Sequence, residues 1–210
     1  MEQDVRIPPV GLNGTLALPE GFRAVVLFVH GSHSGHASPR NRHVAEALRK
    51  AGFGTLLFDL LTAEEAQDRS NVFDTHLLTE RVLLATQFLC DHPAVDGLPI
   101  GYFGAASGAA AALVAAARAA EHHHVRAVVS RGGRPDLAEV WLQGVAAPTL
   151  LVVGGEDHPA IELNQEALKA LHCVKAMEIV PGAGHLFEEP GAMDSVAESA
   201  AAWFSTHLTP

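Results

Sequence analysis

The stretch of sequence that decides the fold is LPIGYFGAASG, residues 98–108, which runs on into AAAALV at residues 109–114. Its first half is apolar and carries residues that favour a strand, whereas the alanines that follow favour a helix. Between them lies a turn of small residues, with Gly104 and Gly108 on either side of Ala106. A strand and a helix approach closely only where side chains are absent. The two glycines therefore predict a strand, a tight turn and a helix in direct succession.

The spacing of this turn is that of a nucleophile elbow, G-x-S-x-G, in which a serine sits on a strained turn above a sheet. The central position here is Ala106, and a methyl group cannot attack a carbonyl carbon. The nearest hydroxyl belongs to Ser107, one position later. The motif therefore predicts the place of a nucleophile that this chain lacks.

Around the turn, apolar runs alternate with segments of helical periodicity. Strands are predicted at residues 5–7 and 12–18 (an opening hairpin), 24–29, 54–60, 98–103, 125–129, 149–153 and 176–180, and helices at 39–51, 72–90, 107–118, 136–142, 160–171 and 190–207. Residues 62–71 are polar and predicted as a loop. The repeated β-α order with short connections predicts an α/β protein with a doubly wound, mostly parallel sheet, in a single domain over residues 1–210.

Charge and composition narrow the class of protein. The formal net charge of −10 argues against nucleic acid or an anionic membrane surface as a partner. The first residues, MEQD, lack the apolar core of a signal peptide, and the small-apolar run at 109–117 is too short to span a bilayer. Cys90 and Cys173 show no metal or redox spacing. These features predict a cytoplasmic protein and leave its oligomeric state open.

Polar residues follow several predicted strands, namely His30-Gly31-Ser32, Ala106-Ser107, Asp157 and His185. In a doubly wound sheet, functional groups gather at the carboxyl ends of the strands. Positions 106, 157 and 185 keep the chain order nucleophile, acid, histidine of α/β-hydrolases. The chain resembles that superfamily, and most closely its dienelactone-hydrolase branch. Four motifs, SPRNR (38–42), DLLT (59–62), SRGGRPD (130–136) and HLFEEPG (185–191), are similar to a bacterial subgroup sometimes linked to phosphoribosyltransferase domains.

The resemblance implies hydrolysis of a small-molecule ester or acyl substrate by a serine mechanism that needs no cofactor. His185 would be the base, and Asp157 would orient its imidazole. The oxyanion hole would use the backbone N–H of Ser107 and one from the loop at Ser32 and His33. With Ala106 at the nucleophile position, this route through an acyl-enzyme is closed.

Three explanations of Ala106 remain open. The first is a deliberate Ser→Ala substitution that inactivates the enzyme. The second is a redesigned site, with a relocated nucleophile such as Ser107 or Ser34, or with a metal bound by His33 and His36 together with His43 or His158. No zinc-like spacing supports the metal, and polar loop positions explain these histidines better, so no metal site is predicted. The third is a natural relative that binds a small ligand without turning it over.

Substrate-binding candidates come from two loops. Arg131 and Arg134 follow a predicted strand among glycines, where they are candidates to hold the carboxylate or phosphate of an anionic substrate. Ion pairs with Asp136 or Glu139 would explain the presence of these two arginines equally well. Ser34 and His36 lie on the loop after the strand at 24–29, which is expected to face the pocket.

Overall fold

The computed structural model of the chain describes residues 2–30, 35–119 and 125–208. The described residues form one eight-stranded sheet. Its strands are β1 (Glu2–Ile7), β2 (Leu12–Ala17), β3 (Val25–Val29), β4 (Gly54–Phe58), β5 (Ile100–Ala105), β6 (Val125–Arg131), β7 (Thr149–Gly154) and β8 (Lys175–Val180). The order across the sheet is β1-β2-β4-β3-β5-β6-β7-β8.

The sheet is antiparallel only at its β1 edge. β1 pairs with β2, and β2 pairs with β4, in antiparallel register, whereas all pairs from β4 through β3 to β8 are parallel. Every residue of β3, β4, β5 and β7 is buried, as expected for apolar strands covered on both faces. The predicted mostly parallel, doubly wound sheet is confirmed.

Helices cover both faces of the sheet. They are α1 (Pro39–Lys50), α2 (Thr75–Cys90), α3 (Ser107–Arg118), α4 (His158–Ala170) and α5 (Ala192–His207). Residues of α1 and α5 share one buried apolar cluster with Phe28, Phe103 and Val129 of the central strands. Residues of α2, α3 and α4 join a second cluster on the opposite face. No helix within the three described ranges is long and apolar enough to cross a membrane.

Most predicted element boundaries are displaced, by up to three residues, and one predicted helix takes another form. The second helix begins at Thr75 instead of residue 72, because the Asp74 carboxylate accepts the Leu77 N–H at 2.9 Å and caps it there. Strand β6 continues past residue 129 and ends at Arg131. The predicted helix at 136–142 is a 3₁₀ segment, Pro135–Gly144, interrupted at Glu139 where φ is 47°. The polar loop contains two further 3₁₀ turns, Glu65–Gln67 and Asn71–Phe73.

Candidate active site

Ala106 occupies a strained turn between β5 and α3. Its backbone has φ 50° and ψ −128°, a combination that residues with a Cβ rarely adopt. The two flanking glycines are required by space. A Cβ at Gly104 would lie 2.6 Å from the Cα of Ala109, and one at Gly108 would lie 2.3 Å from the carbonyl oxygen of Val29. The predicted succession of strand, tight turn and closely packed helix is confirmed.

Ser107 is the first residue of α3, and its hydroxyl is directed away from the turn. The Oγ donates to the carbonyl oxygen of Val72 at 3.4 Å, which links α3 to the segment preceding α2. Among the residues that the structure describes, no side chain caps the N-terminus of this helix. Because the first N–H groups of a helix carry partial positive charge, the backbone at Ser107 suits a developing oxyanion better than its hydroxyl suits attack.

His185 and Asp157 form a hydrogen-bonded pair. The Asp157 Oδ2 accepts from His185 Nδ1 at 2.6 Å, while the Asp157 side chain is 13% exposed and that of His185 is 50% exposed. Asp157 also caps α4, because its Oδ1 accepts the Ala160 N–H at 3.4 Å. A carboxylate bonded at Nδ1 selects the tautomer with the proton on that nitrogen, so Nε2 is left as the basic atom.

The loops that carry this pair are packed backbone against backbone. A Cβ at Gly154, the last residue of β7, would lie 2.4 Å from the carbonyl oxygen of Ala183. The Glu156 N–H donates to that same oxygen at 2.9 Å, and the Gly155 N–H donates to Val180 at 2.8 Å. The loop after β7 and the loop after β8 are thus held together independently of the bond between Asp157 and His185.

One backbone segment, residues 132–134, connects the histidine loop to the strained turn. The Arg134 N–H donates to the carbonyl oxygen of Ala106 at 3.1 Å, and the Gly132 N–H donates to Val152 at 2.8 Å. Gly132 has φ 50°, and a Cβ there would lie 3.1 Å from the carbonyl oxygen of His185. The structure therefore brings the turn at 106 and the pair at 157 and 185 to one edge of the sheet.

The two candidate arginines have different environments. Arg134 is exposed and pairs bidentately with Asp136, Nε to Oδ1 at 2.9 Å and Nη2 to Oδ2 at 2.8 Å, and these bonds raise the pKa of Arg134. Arg131 is buried, with its guanidinium 5.8 Å from the ring centre of Phe187. Burial, with a smaller contribution from Arg40, lowers the pKa of Arg131 to about 10, so the group is still charged at neutral pH.

The candidate histidines that the structure describes, His36, His43 and His158, are not brought together. His36 pairs with Asp59 at the end of β4, Nδ1 to Oδ2 at 2.9 Å, and its backbone N–H donates to the other carboxylate oxygen at 2.8 Å. His43 joins α1 to α5 through Asp194 at 2.7 Å, and His158 is exposed at the start of α4. Across the described ranges, no three His, Cys, Asp or Glu side chains are grouped as metal ligands. Ser32, His33 and Ser34 lie outside the described residues.

Three contacts at this edge were not predicted from the sequence. Asn164 of α4, fully buried, donates to the carbonyl oxygen of Gly133 at 3.2 Å and so holds the segment 132–134. Phe187 has φ 54° and carries the ring that faces Arg131. Asp59 is the partner of His36. Only Asp59 had a signal of its own in the sequence, since it lies at the carboxyl end of a predicted strand.

Comparison with known proteins gives the family context of this geometry. The sequence model that describes the dienelactone hydrolase family matches residues 12–208 of this chain. A dienelactone hydrolase from Anabaena variabilis has a solved structure that is 50% identical, with a TM-score of 0.93 over 99% of each chain. Est1E from Butyrivibrio proteoclasticus is 15% identical with a TM-score of 0.81, covering 97% of this chain and 98% of that one, and it shares the fold.

Curated relatives are longer than this chain. Two Mycobacterium tuberculosis proteins, from strains CDC 1551 and H37Rv, are each 54% identical over 207 residues, which is 99% of this chain and 46% of theirs. Their names assign them provisionally to the phosphoribosyl transferases. The chain thus spans about half the length of these relatives.

Proposed function

The chain belongs to the dienelactone hydrolase family of the α/β-hydrolase fold, and on that premise we propose that its site is built for serine-type hydrolysis of a small ester or acyl compound. Ala106 occupies the nucleophile position, His185 is the base and Asp157 orients it. No cofactor takes part. Because the nucleophile's oxygen is missing, the chain as it stands forms no acyl-enzyme. The proposal includes a cytoplasmic location, in keeping with two free cysteines, Cys90 and Cys173.

The observation that carries the proposal is the backbone of Ala106. A φ of 50° at a residue with a Cβ costs free energy, on the order of 1–3 kcal/mol. The methyl group of Ala106 can form no hydrogen bond that would offset this cost. A serine would gain a hydroxyl held above the sheet, at the edge where the pair of Asp157 and His185 lies. The strained turn at Ala106, Asp157 and His185 together support serine-type hydrolysis. The atom that this reaction would still need is the hydroxyl oxygen of the nucleophile.

With a serine at position 106, the reaction follows from the chemistry of these groups. The hydroxyl oxygen attacks the carbonyl carbon while His185 Nε2 accepts its proton, and Asp157 stabilises the imidazolium that forms. Negative charge develops on the carbonyl oxygen, where the Ser107 N–H at the start of α3 would donate to it. His185 then returns the proton to the leaving alcohol or amine. Water repeats the sequence and releases the acid.

Restoring the hydroxyl is the test. We expect Ala106→Ser to hydrolyse 4-nitrophenyl acetate with kcat raised by about 10³-fold or more, because loss of a serine nucleophile costs up to roughly 10⁶. The double variant Ala106→Ser, His185→Gln should lose this gain, and Ala106→Ser, Ser107→Ala should keep most of it. A folded Ala106→Ser protein with no gain, or a gain that does not need His185, contradicts the proposal.

Binding without turnover is the second candidate, and Ala106 itself favours it. A site that keeps its acid, base and strained turn but lacks the nucleophile retains its shape for a ligand. A folded Ala106→Ser protein that binds small esters reversibly and releases no acid supports this reading. The transferase name of the M. tuberculosis relatives belongs to proteins about twice as long. The hydrolase proposal concerns the half of those proteins that this chain matches.

A further inference from the structure

Asn164 is a buried polar residue in the interior of helix α4, a place that does not suit its residue type. Asparagine is a poor helix former, because its side chain competes with the backbone for hydrogen bonds. Here it is 0% exposed. Its Nδ2 donates to the carbonyl oxygen of Ala160 at 2.8 Å, one turn earlier, and to the carbonyl oxygen of Gly133 at 3.2 Å. Because both partners are acceptors, the position requires a side chain that donates twice, and the needs of the helix alone do not explain it.

The bond to Gly133 holds the segment that contacts the strained turn. Gly133 is packed closely against α3, since a Cβ there would lie 2.5 Å from the Cβ of Ala109. The next residue, Arg134, donates its backbone N–H to the carbonyl oxygen of Ala106 at 3.1 Å. The Ala109 N–H also donates to this oxygen, at 3.2 Å. The carbonyl group of Ala106 is therefore held from two sides, by its own helix and by the segment that Asn164 holds.

The Ala106 carbonyl and the Ser107 N–H belong to one peptide group. A peptide bond is planar and trans, so its C=O and N–H point in opposite directions and turn together. Holding the carbonyl oxygen of Ala106 therefore sets the direction of the Ser107 N–H. This N–H is the donor proposed above for the oxyanion. Such a donor is effective only when it is aimed at the place where negative charge develops.

The side chain of Asn164 is also connected to the proposed acid. The Asp157 Oδ1 accepts the Ala160 N–H at 3.4 Å, and the carbonyl oxygen of Ala160 accepts from Asn164. Asp157 and Asn164 are seven residues apart, which is about two turns, so they lie on the same face of α4. This face of α4 thus contacts both the loop of the proposed acid and the segment that holds the strained turn.

We propose that Asn164 is a positioning residue of the hydrolytic site, which acts through Gly133 and Arg134 to aim the Ser107 N–H at the oxyanion. Asn164 touches neither the substrate nor the reacting atoms. The inference rests on the proposed function, because it concerns the oxyanion donor of that same site. It gives α4 a part in stabilising the transition state in addition to its contact with Asp157.

Two substitutions separate the bond to Gly133 from the bond within α4. Asn164→Ser keeps a hydroxyl that can donate to the carbonyl one turn earlier, as serine does in helices, but its side chain is too short to reach Gly133. Asn164→Leu keeps the size of the side chain and removes both donations. Thr149→Val is the matched control. The fully buried Thr149 hydroxyl donates to the carbonyl oxygen of Ala147 at 2.9 Å, at the opposite end of β7 from Asp157.

Hydrolysis of 4-nitrophenyl acetate in the Ala106→Ser background measures the effect on catalysis. We expect Asn164→Ser and Asn164→Leu to lower kcat about tenfold with KM little changed, a smaller loss than the roughly 10²- to 10³-fold that follows complete removal of an oxyanion donor. Thr149→Val should leave kcat unchanged.

Inhibition by phenylboronic acid distinguishes positioning from loss of folded protein. In its adduct the serine oxygen bonds to boron, the hydroxyl proton passes to His185, and one boronate oxygen takes the place of the oxyanion. Because this adduct resembles the transition state, its Ki should rise by the same factor as kcat falls. Partial unfolding lowers the amount of active enzyme and changes neither Ki nor KM. Thr149→Val should leave Ki unchanged.

Amide hydrogen exchange on the chain as it stands tests the contacts independently of any hydrolysis. We expect Asn164→Ser to speed exchange of the Arg134 N–H about tenfold relative to Thr149→Val, because the segment that carries this N–H opens more often. The Ser107 amide resonance should shift in Asn164→Ser and stay in place in Thr149→Val. Asn164→Leu gives the same measurements if Asn164→Ser does not fold.

The inference is overturned if the Asn164 variants leave kcat and Ki unchanged, or if exchange at Arg134 and the Ser107 resonance stay as in the parent chain. Failure of the proposed function gives a different result. If Ala106→Ser hydrolyses no ester, the hydrolase proposal fails, while exchange at Arg134 still decides whether Asn164 holds the Ser107 peptide group.

Discussion

At Ala106 the backbone has φ 50° and ψ −128°, values that glycine adopts freely and alanine does not. We therefore expect Ala106→Gly to raise the free energy of unfolding by about 1 kcal/mol, because relief of strain exceeds the added entropy of the unfolded chain. Urea unfolding at neutral pH measures this change in the free energy of unfolding. Ala105→Gly, in the preceding buried strand position, is the control and should lose about 1 kcal/mol. Equal losses in both variants would contradict strain at position 106.

Asp157 has a structural and a proposed catalytic role that one substitution separates. Asparagine caps helices as well as aspartate does, so Asp157→Asn should keep the N-terminus of α4 and change Tm little. It no longer stabilises the imidazolium of His185 and can select the wrong tautomer. In the Ala106→Ser background we expect kcat to fall about 10³- to 10⁴-fold. A kcat that does not change, or that falls only in proportion to unfolded protein, would argue against the proposed acid.

At the scale of elements, the crossing of β5, α3 and β3 leaves no room for a side chain at Gly108. A Cβ there would lie 2.3 Å from the carbonyl oxygen of Val29, which is backbone and cannot rotate away. We expect Gly108→Ala to lower the free energy of unfolding by about 3 kcal/mol or more. Gly144→Ala is the control, because its Cβ would meet Ala117 at an ordinary 3.6 Å. Similar stabilities of the two variants would mean that α3 shifts without cost.

Most elements could be predicted from the sequence, and the misplaced boundaries have a common cause. Periodicity reports which residues face a core and does not report where hydrogen bonding changes. The apolar pattern of α2 extends back to Val72, yet Asp74 ends the irregular segment and begins the helix. The pattern of residues 135–144 is helical on average, but the backbone breaks at Glu139.

At the scale of the whole molecule, the sheet class followed from the alternation of β and α segments, whereas the strand order did not. Which strand lies beside which depends on helix packing across both faces, and no local pattern encodes it. The candidate site, like the sheet, could be predicted from the sequence only in part. The placement of Ala106, Asp157 and His185 at one edge of the sheet was predictable because each follows a strand and keeps a known chain order, and their catalytic roles stay a prediction. The contacts of Asn164 with Gly133 and of Phe187 with Arg131 join distant segments, and no pattern in one segment encodes which residue of the other it meets.

We infer that Ala106 stands where a nucleophile belongs and that no other hydroxyl has replaced it. The most direct measurement is intact mass after incubation with a fluorophosphonate, followed by peptide mapping, because this reagent labels hydroxyls activated by a neighbouring base. We expect no adduct on the chain as it stands and one adduct per chain, at position 106, on Ala106→Ser. A stoichiometric adduct on the unsubstituted chain at Ser107, Ser34 or another hydroxyl, or an unlabelled but folded Ala106→Ser protein, would contradict it.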